Sequence, residues 1–320
     1  MNLSARSPLR NLILWLKPRG LNQVMGACAP KYVKEFYSFV QQSVEQRYAL
    51  FAKTQNIEKE RPLNETAPRE DMFHFLCAAR DPSTNQPAFT KTDLLAEARL
   101  LLIAGTDTTS TALSASLFYI NNDPRVYELL VSEIRSTFSS RDQITHGPLL
   151  NSCAYLRAVI EETMRMTPAG PSEPERLVRP GGMEVDGHFF PAGTLLGVPH
   201  WPYYHNETIF TDAWKFLPER WIASPENPIS DIHALRRGYS PFIKGVNSCV
   251  GQNMALMILS ITLARTLWAL DCRIAPGTNL GEGRKELGWG RRNKKVYQVD
   301  DAFVSLRKGP VLQFRAREVR

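Results

Sequence analysis

One cysteine of the sequence stands where its chemistry would be unusual. Cys249 lies near the end of residues 240–251 (Ser-Pro-Phe-Ile-Lys-Gly-Val-Asn-Ser-Cys-Val-Gly), and an apolar stretch typical of a helix follows to about Leu270. A cysteine at a helix N-terminus faces unpaired backbone N–H groups and the positive end of the helix dipole, which favour the thiolate. The thiolate is the form that binds metals, so Cys249 is a candidate ligand. The alternative is a buried structural cysteine.

The residues around Cys249 suit a flat, largely apolar group bound to its sulfur. Gly245 permits the tight loop that presents the sulfur, and Gly251 removes a side chain where a macrocycle would approach the backbone closely. Phe242 can shield the sulfur from water. A dry, hydrogen-bonded thiolate is the axial ligand that pushes electron density onto haem iron. The loop therefore has the residue types that a thiolate ligand to such a group needs.

A second candidate group lies within a predicted helix, at residues 104–109 (Ala-Gly-Thr-Asp-Thr-Thr). A glycine followed by threonines can open the helix hydrogen-bond ladder, because the hydroxyls compete for backbone carbonyls. The notch would admit a diatomic ligand beside an acid, Asp107, and an alcohol, Thr108. The alternative is a core helix whose threonines satisfy themselves.

A third group combines acids and arginines. Glu162 and Arg165 are three apart on one helix face, where an exposed ion pair would contribute roughly 0.2–0.5 kcal/mol. Glu161 lies four before Arg165, so spacing alone does not choose between the two acids. Arg220 follows in an irregular region, within residues 218–221 (Pro-Glu-Arg-Trp).

These segments, in this order, resemble the cytochrome P-450 family of haem-thiolate monooxygenases. The family signature Phe-x-x-Gly-x-x-x-Cys-x-Gly is matched at Phe242, Gly245, Cys249 and Gly251. The resemblance implies that haem b binds here with Cys249 as its iron ligand. Asn247 stands where the family usually has a basic residue that pairs with a haem propionate, and it brings no charge. Arg176 best matches a second propionate-binding position, its alternative being an exposed arginine.

The other segments match family elements too. Residues 104–109 are similar to the oxygen-activating motif, which implies that Asp107 relays protons and Thr108 hydrogen-bonds dioxygen. Residues 162–165 and 218–221 resemble the family's Glu-x-x-Arg and Pro-Glu-Arg elements. The resemblance implies one buried network that braces the cysteine loop: Glu162, Arg165 and Arg220.

The elements that position these residues are predicted from periodicity and capping. Helices are expected over 29–54, 71–80, from Thr90 or Thr92 to about 121, 123–138, 154–166 and 249–270. Short apolar runs punctuated by glycine and proline predict a small antiparallel sheet over 175–199, and residues 296–314 predict a terminal hairpin. The expected fold class is mainly α with small antiparallel β-sheets, the C-terminal portion of the P-450 fold, as a single domain over 1–320.

Composition excludes several classes of protein. The five cysteines are odd in number and widely spaced, which argues against a disulfide framework or a structural zinc site. The net charge of +7 suits an acidic partner, and the basic run at 291–295 is interpreted as a solvated loop, so no nucleic-acid partner is expected. The apolar patch at 11–16 is too short to span a bilayer. Compared with a complete family member, the sequence is expected to lack the N-terminal anchor and early helices.

The resemblance implies monooxygenation of a small apolar molecule in secondary-metabolite biosynthesis, most like fungal members of the family. Electrons would come from an NADPH-dependent flavoprotein reductase, whose acidic face could meet Lys244, Arg236 and Arg237. The implied location is the cytoplasmic side of the endoplasmic reticulum, or the cytoplasm without an anchor. Two alternatives stay open: a reductase-independent haem-thiolate isomerase or dehydratase, and an inactive remnant that does not hold haem.

Overall fold

The computed structural model describes residues 12, 15–16, 19–57, 71–302 and 304–317. The predicted apolar patch at 11–16 falls partly outside these residues, and the polar segment 58–70 wholly outside them. Contacts divide the chain into two compact units, one up to Thr106 and one from Asp107 onward. No helix in the described part of the chain combines the length and hydropathy needed to span a bilayer.

Helices dominate the described residues. They are α1 (Leu21–Ala27), α2 (Lys31–Ile57), α3 (Met72–Ala78), α4 (Lys91–Asn122), α5 (Pro124–Thr137), α6 (Pro148–Asn151), α7 (Ala154–Met166), α8 (His200–Tyr204), α9 (Ile229–Gly238) and α10 (Gln252–Ala269). The strands are short: β1 (Arg176–Leu177), β2 (Met183–Val185), β3 (His188–Phe190), β4 (Leu195–Leu196), β5 (Leu270–Ile274), β6 (Val299–Asp300), β7 (Leu306–Arg307) and β8 (Leu312–Ala316). The predicted class, mainly α with small antiparallel sheets, is confirmed.

Helix α4 begins with a reciprocal capping interaction. The Asp93 N–H donates to Thr90 Oγ1 at 3.2 Å, and the Thr90 N–H donates to Asp93 Oδ2 at 2.9 Å. Two orphan amides are thereby satisfied, which makes Thr90 the cap, of the two threonines considered. Helix α5 starts as predicted, since Asp123 accepts from the Arg125 and Val126 amides and Pro124 occupies the first turn.

The core of the second unit lies where α5, α7 and α10 pack together. Each helix contributes apolar residues three or four apart, which form a continuous buried stripe. The buried positions include Val126, Leu130 and Ile134 of α5, Leu156, Val159 and Ile160 of α7, and Leu256, Leu259, Leu263 and Leu267 of α10. Helix α7 is buried around its whole circumference in its last two turns, so its charged residues must find partners inside the protein.

The strands pair as four two-stranded antiparallel sheets in the described residues: β1 with β4, β2 with β3, β5 with β8, and β6 with β7. The first two confirm the sheet predicted over 175–199. The predicted terminal hairpin is wrong in its pairing, because the strands flanking residues 308–310 do not pair with each other. β8 instead runs along β5 over five residues, from Leu270 opposite Ala316 to Ile274 opposite Leu312. That ladder is longer than the two-residue pairing of β6 with β7 and offers more backbone hydrogen bonds.

Candidate functional site

The loop that carries Cys249 connects α9 to α10 and is held by its own backbone. The Cys249 N–H donates to the Phe242 carbonyl oxygen at 2.9 Å, and the Ser248 N–H donates to the Gly245 carbonyl oxygen at 3.0 Å. Gly245 has φ +81°, and it starts a 3-10 turn, Gly245–Asn247. This backbone conformation strains other residues, which explains glycine at this position. Gly251 is the N-cap of α10.

The Cys249 thiol is exposed, and so are the apolar side chains beside it. Val246 and Val250 are almost fully exposed. Val250, Met254 and Ile258 recur four apart, and all three are exposed, so they form an apolar strip beside the thiol. An exposed apolar patch of this kind marks a surface that another apolar group covers.

The atoms around Gly251 indicate whether a flat macrocycle can lie against this loop. A Cβ built on Gly251 meets only the Cys249 sulfur, at 3.8 Å, which is ordinary van der Waals contact. Packing within the protein therefore does not require glycine there. A group lying against the sulfur and the backbone would require it, as a haem would. The exposed thiol, the missing Cβ and the apolar strip all fit haem.

A buried ion-pair network is centred on Glu162 of α7. Glu162 and Arg165 have fully buried side chains and form a bidentate ion pair. Arg165 Nε and Nη2 donate to the two carboxylate oxygens, each at 2.9 Å. Three further donors reach the same carboxylate at 3.0 Å: the Leu217 N–H, Arg220 Nε and Trp221 Nε1. Burial acts to raise the pKa of Glu162, but Arg165 and Arg220 outweigh it and hold that pKa below its usual range.

The partners of Glu162 lie on the 3-10 turn Pro218–Trp221 and just before it. Arg165 also binds the chain before this turn: Nη1 donates to the carbonyl oxygen of Tyr204, the last residue of α8, at 2.6 Å and to that of Ala213 at 2.9 Å. A segment without regular secondary structure leaves backbone groups unpaired, and the arginines supply donors to them. The structure thus brings together the three residues predicted as one network.

The structure also shows which of two acids, Glu161 or Glu162, pairs with Arg165, a choice that the spacing left open. Glu162 faces Arg165, while Glu161 turns to Arg157 and Arg236. The pairing of Glu161 with Arg236 was not predicted from the sequence, because the two residues are 75 positions apart. Trp221 was also not predicted as a donor to Glu162. The only sequence signal for Glu161 is Arg157 four residues before it, a spacing that is common on exposed helix faces.

Asp107 and Thr108 lie on α4, which stays helical without interruption from Lys91 to Asn122. The helix is not broken at residues 104–109, and the local opening predicted there stays a prediction. Hydroxyls do compete for a carbonyl here: Ser110 Oγ and Thr111 Oγ1 donate to the Asp107 carbonyl oxygen at 3.3 and 2.8 Å.

The remaining predicted residues have separate surroundings. Phe242 is half-buried and packs against the main core, while Asn247 is exposed on the 3-10 turn. Arg176 is exposed on β1, where Nη1 donates to the Pro174 and Glu175 carbonyl oxygens. Among the described residues, no hydrogen bond or ion pair joins Arg176 or Asp107 to the cysteine loop. The propionate roles of Asn247 and Arg176 and the proton relay of Asp107 stay predictions.

His205 is a buried histidine below the network. Its Nδ1 contacts the Trp201 carbonyl oxygen at 2.8 Å, and its ring packs against Trp201 and Trp214. Nε2 has no hydrogen-bond partner in the described part of the structure. Burial is the main cause that lowers the pKa of His205 to about 4, and the Arg165 charge acts in the same direction.

This shift predicts an acid-sensitive stability. Between pH 6.5 and about 4 the unfolded chain binds a proton at His205 that the folded chain does not, so stability falls as the pH is lowered through that window. The full shift corresponds to about 3 kcal/mol. Replacing His205 with asparagine keeps a donor to the i−4 carbonyl, as Asn121 shows with Leu117. Denaturant unfolding at pH 7 and pH 4.5 is expected to show a smaller difference for His205→Asn than for the wild type.

His233 provides the control, since it is exposed on α9. The His233→Asn chain is expected to keep the wild-type pH dependence. If His205→Asn also keeps it, His205 is not buried in its neutral form.

Comparison with known proteins places this mainly helical fold with its exposed thiol loop among haem-thiolate proteins. A cytochrome P450 family profile matches residues 13–296. A cytochrome P450 monooxygenase of Gibberella zeae is 39% identical over 262 residues, which cover 81% of this chain and 59% of that protein. The cytochrome P450 monooxygenase atnE of Emericella nidulans is 41% identical over 250 residues, or 77% of this chain and 46% of the relative.

The chain belongs to the cytochrome P450 family, and the predicted relationship to fungal members is confirmed. A solved structure, "Crystal structure of a Cytochrome P450 (CYP102L1)", shares the fold with a TM-score of 0.67 at 20% identity, over 97% of this chain and 61% of that one. The family and fold imply haem whose iron is ligated by a cysteine thiolate. The chain spans about half the length of the curated relatives it matches.

Proposed function

We propose that this chain is the haem-binding part of a monooxygenase that inserts one oxygen atom of dioxygen into a small apolar molecule, with Cys249 as the iron ligand. The observation that carries the proposal is the exposed thiol at the tip of a loop with glycine beside it and an apolar strip around it. Family membership supports the reaction class.

The residues of the chain have distinct tasks in this function. When bound, haem would supply the dioxygen chemistry, and Cys249 would hold its iron as a thiolate. Phe242, half-buried before the tip of the loop, would shield the sulfur from water once haem is bound. Asp107 and Thr108 hold and pass protons, on a helical turn whose Asp107 carbonyl oxygen is held by the Thr111 hydroxyl. Asn247 and Arg176 hydrogen-bond the haem propionates.

The partners follow from the same site. A flavoprotein reductase using NADPH supplies electrons, and its acidic face meets Arg237 and Lys244, both exposed near the loop. Arg236, predicted with them, is already paired with Glu161 and contributes less to such docking. We place the reaction in secondary-metabolite biosynthesis at the cytoplasmic side of the endoplasmic reticulum. The relatives named as fungal P450 monooxygenases support the reaction class only.

Haem titration of the purified chain tests the proposal. We expect binding of one haem per chain and, after reduction and addition of CO, the red-shifted Soret band of thiolate-ligated haem. Absence of bound haem would identify an inactive remnant. Turnover of candidate substrates without reductase or NADPH would instead identify an isomerase or dehydratase.

A further inference from the structure

Two adjacent acids on α7 hold different parts of the second unit. Glu162 holds the 3-10 turn Pro218–Trp221, as described above. Glu161 has a side chain that is only 5% exposed, and it receives both terminal nitrogens of Arg236. Nη1 lies 2.9 Å from Oε1, and Nη2 lies 2.7 Å from Oε2. Bidentate ion pairs of this kind are the strong form of arginine–carboxylate interaction.

The backbone of Glu161 is held by the same part of the chain. The Tyr239 hydroxyl donates to the Glu161 carbonyl oxygen at 2.7 Å, and Tyr239 is buried. Arg236 lies in the last turn of α9, and Tyr239 is its C-cap. The next residue, Ser240, donates its N–H to the Tyr204 hydroxyl at 3.0 Å. These contacts therefore fix the position of the chain where α9 ends and the cysteine loop begins.

The loop is held internally by its own backbone, and it reaches α9 through Lys244, whose Nζ donates to the Arg237 carbonyl oxygen at 2.7 Å. Residues 244–250 are all exposed, including Cys249. Phe242 packs on the core before this tip, and α10 begins at Gln252 after it. A loop with an exposed tip takes its position from its two anchored ends. α10 provides the second end, and the contacts of Glu161 provide much of the first.

We propose that the Glu161–Arg236 pair positions the cysteine loop, fixing the end of α9 against α7 and so the place where the Cys249 sulfur is presented. This inference rests on the assignment of Cys249 as the iron ligand. Glu161 and Arg236 are positioning residues, since they act through the loop and do not touch the haem.

The pair is also linked to the Glu162 network. The Arg236 guanidinium lies 5.5 Å from the centre of the Trp221 ring, and Trp221 Nε1 donates to Glu162. Arg157 offers a second contact to Glu161, Nε to Oε1 at 3.3 Å, from a side chain that is 49% exposed. In the described part of the chain, the hydrogen bonds and ion pairs of the Arg157 side chain reach Glu161 and not α9 or the loop, so Arg157 provides a matched control.

Hydrogen exchange of the loop amides measures this positioning directly. In the chain without haem, we expect Glu161→Gln and Arg236→Gln to speed exchange across residues 240–251 by about tenfold, and Arg157→Gln by less than about twofold. Exchange in the middle of α10 is expected to stay at the wild-type rate. Arg236→Lys retains the charge and loses the two-bonded fork, so it also speeds loop exchange. It serves as the milder variant if Arg236→Gln does not fold.

The haem-bound chain gives a second, spectroscopic readout. After reduction and addition of CO, the Glu161 and Arg236 variants are expected to show a smaller fraction of the thiolate-type Soret band than Arg157→Gln. Loop exchange unchanged in Glu161→Gln and Arg236→Lys would overturn the positioning role, as would exchange accelerated equally throughout α10. A wild-type chain that binds no haem would overturn the assignment of Cys249, and the exchange comparison would still decide the positioning role.

Discussion

The Cys249→Ser chain is expected to lose the red-shifted Soret band of its reduced CO complex completely. A serine hydroxyl does not ionise at neutral pH and cannot replace a thiolate as the axial ligand. Cys249 is exposed, so the substitution is expected to leave the free energy of unfolding within about 0.5 kcal/mol of the wild type. The measurements are the CO difference spectrum of the haem-loaded chain and denaturant unfolding of the haem-free chain, because bound haem would itself stabilise the fold.

Cys28 supplies the control, because it is the other cysteine that is exposed in the described part of the chain. Cys28→Ser is expected to keep both the spectrum and the stability of the wild type. A thiolate-type band that survives in Cys249→Ser would show that another residue binds the iron. The assignment of the cysteine loop would then be wrong.

Arg165→Met is expected to destabilise the fold by about 3–5 kcal/mol, the range for removing one member of a buried ion pair. The loss is large because Glu162 is left as a buried charge, and the carbonyl oxygens of Tyr204 and Ala213 lose their donor. Glu162→Gln is expected to act in the same direction, since it leaves the Arg165 charge without its carboxylate. Denaturant unfolding of both variants at pH 7 measures the effect.

A matched pair on the surface separates burial from charge. Asp212 and Lys215 have the same three-residue spacing as Glu162 and Arg165 and the same 2.9 Å separation, but both are exposed. Lys215→Gln is expected to cost less than about 1 kcal/mol. If Arg165→Met cost no more than Lys215→Gln, the buried network would not be important for the stability of this fold.

The lowered pKa of Glu162 also makes the stability depend on pH. Here neighbouring charges favour the ionised group, whereas at His205 burial favours the neutral group. The carboxylate is stabilised by Arg165 and Arg220 in the folded chain, so its contribution is fully present above the ordinary pKa of a glutamate. It is lost as the pH falls through the lower, folded-state pKa. The wild type is therefore expected to lose stability in acid faster than Glu162→Gln.

Sequence alone determined the local features of this protein. The cap at Asp123, the extent of α7 and the glycine needed at position 245 all depend on residues within a turn or two of each other. The order of the motifs was also sufficient to identify the family. Local patterns are reliable here because capping and loop geometry involve only neighbouring residues.

Tertiary structure alone decided which groups meet across the chain. Glu161 and Glu162 have equally good spacing to Arg165, and the choice depends on what packs on each side of α7: the 3-10 turn Pro218–Trp221 on one side and α9 on the other. Likewise, β8 pairs with β5 and not with β7. A helix face or a strand edge has several possible partners in sequence, and only packing in three dimensions selects the one that satisfies each buried charge and each backbone donor.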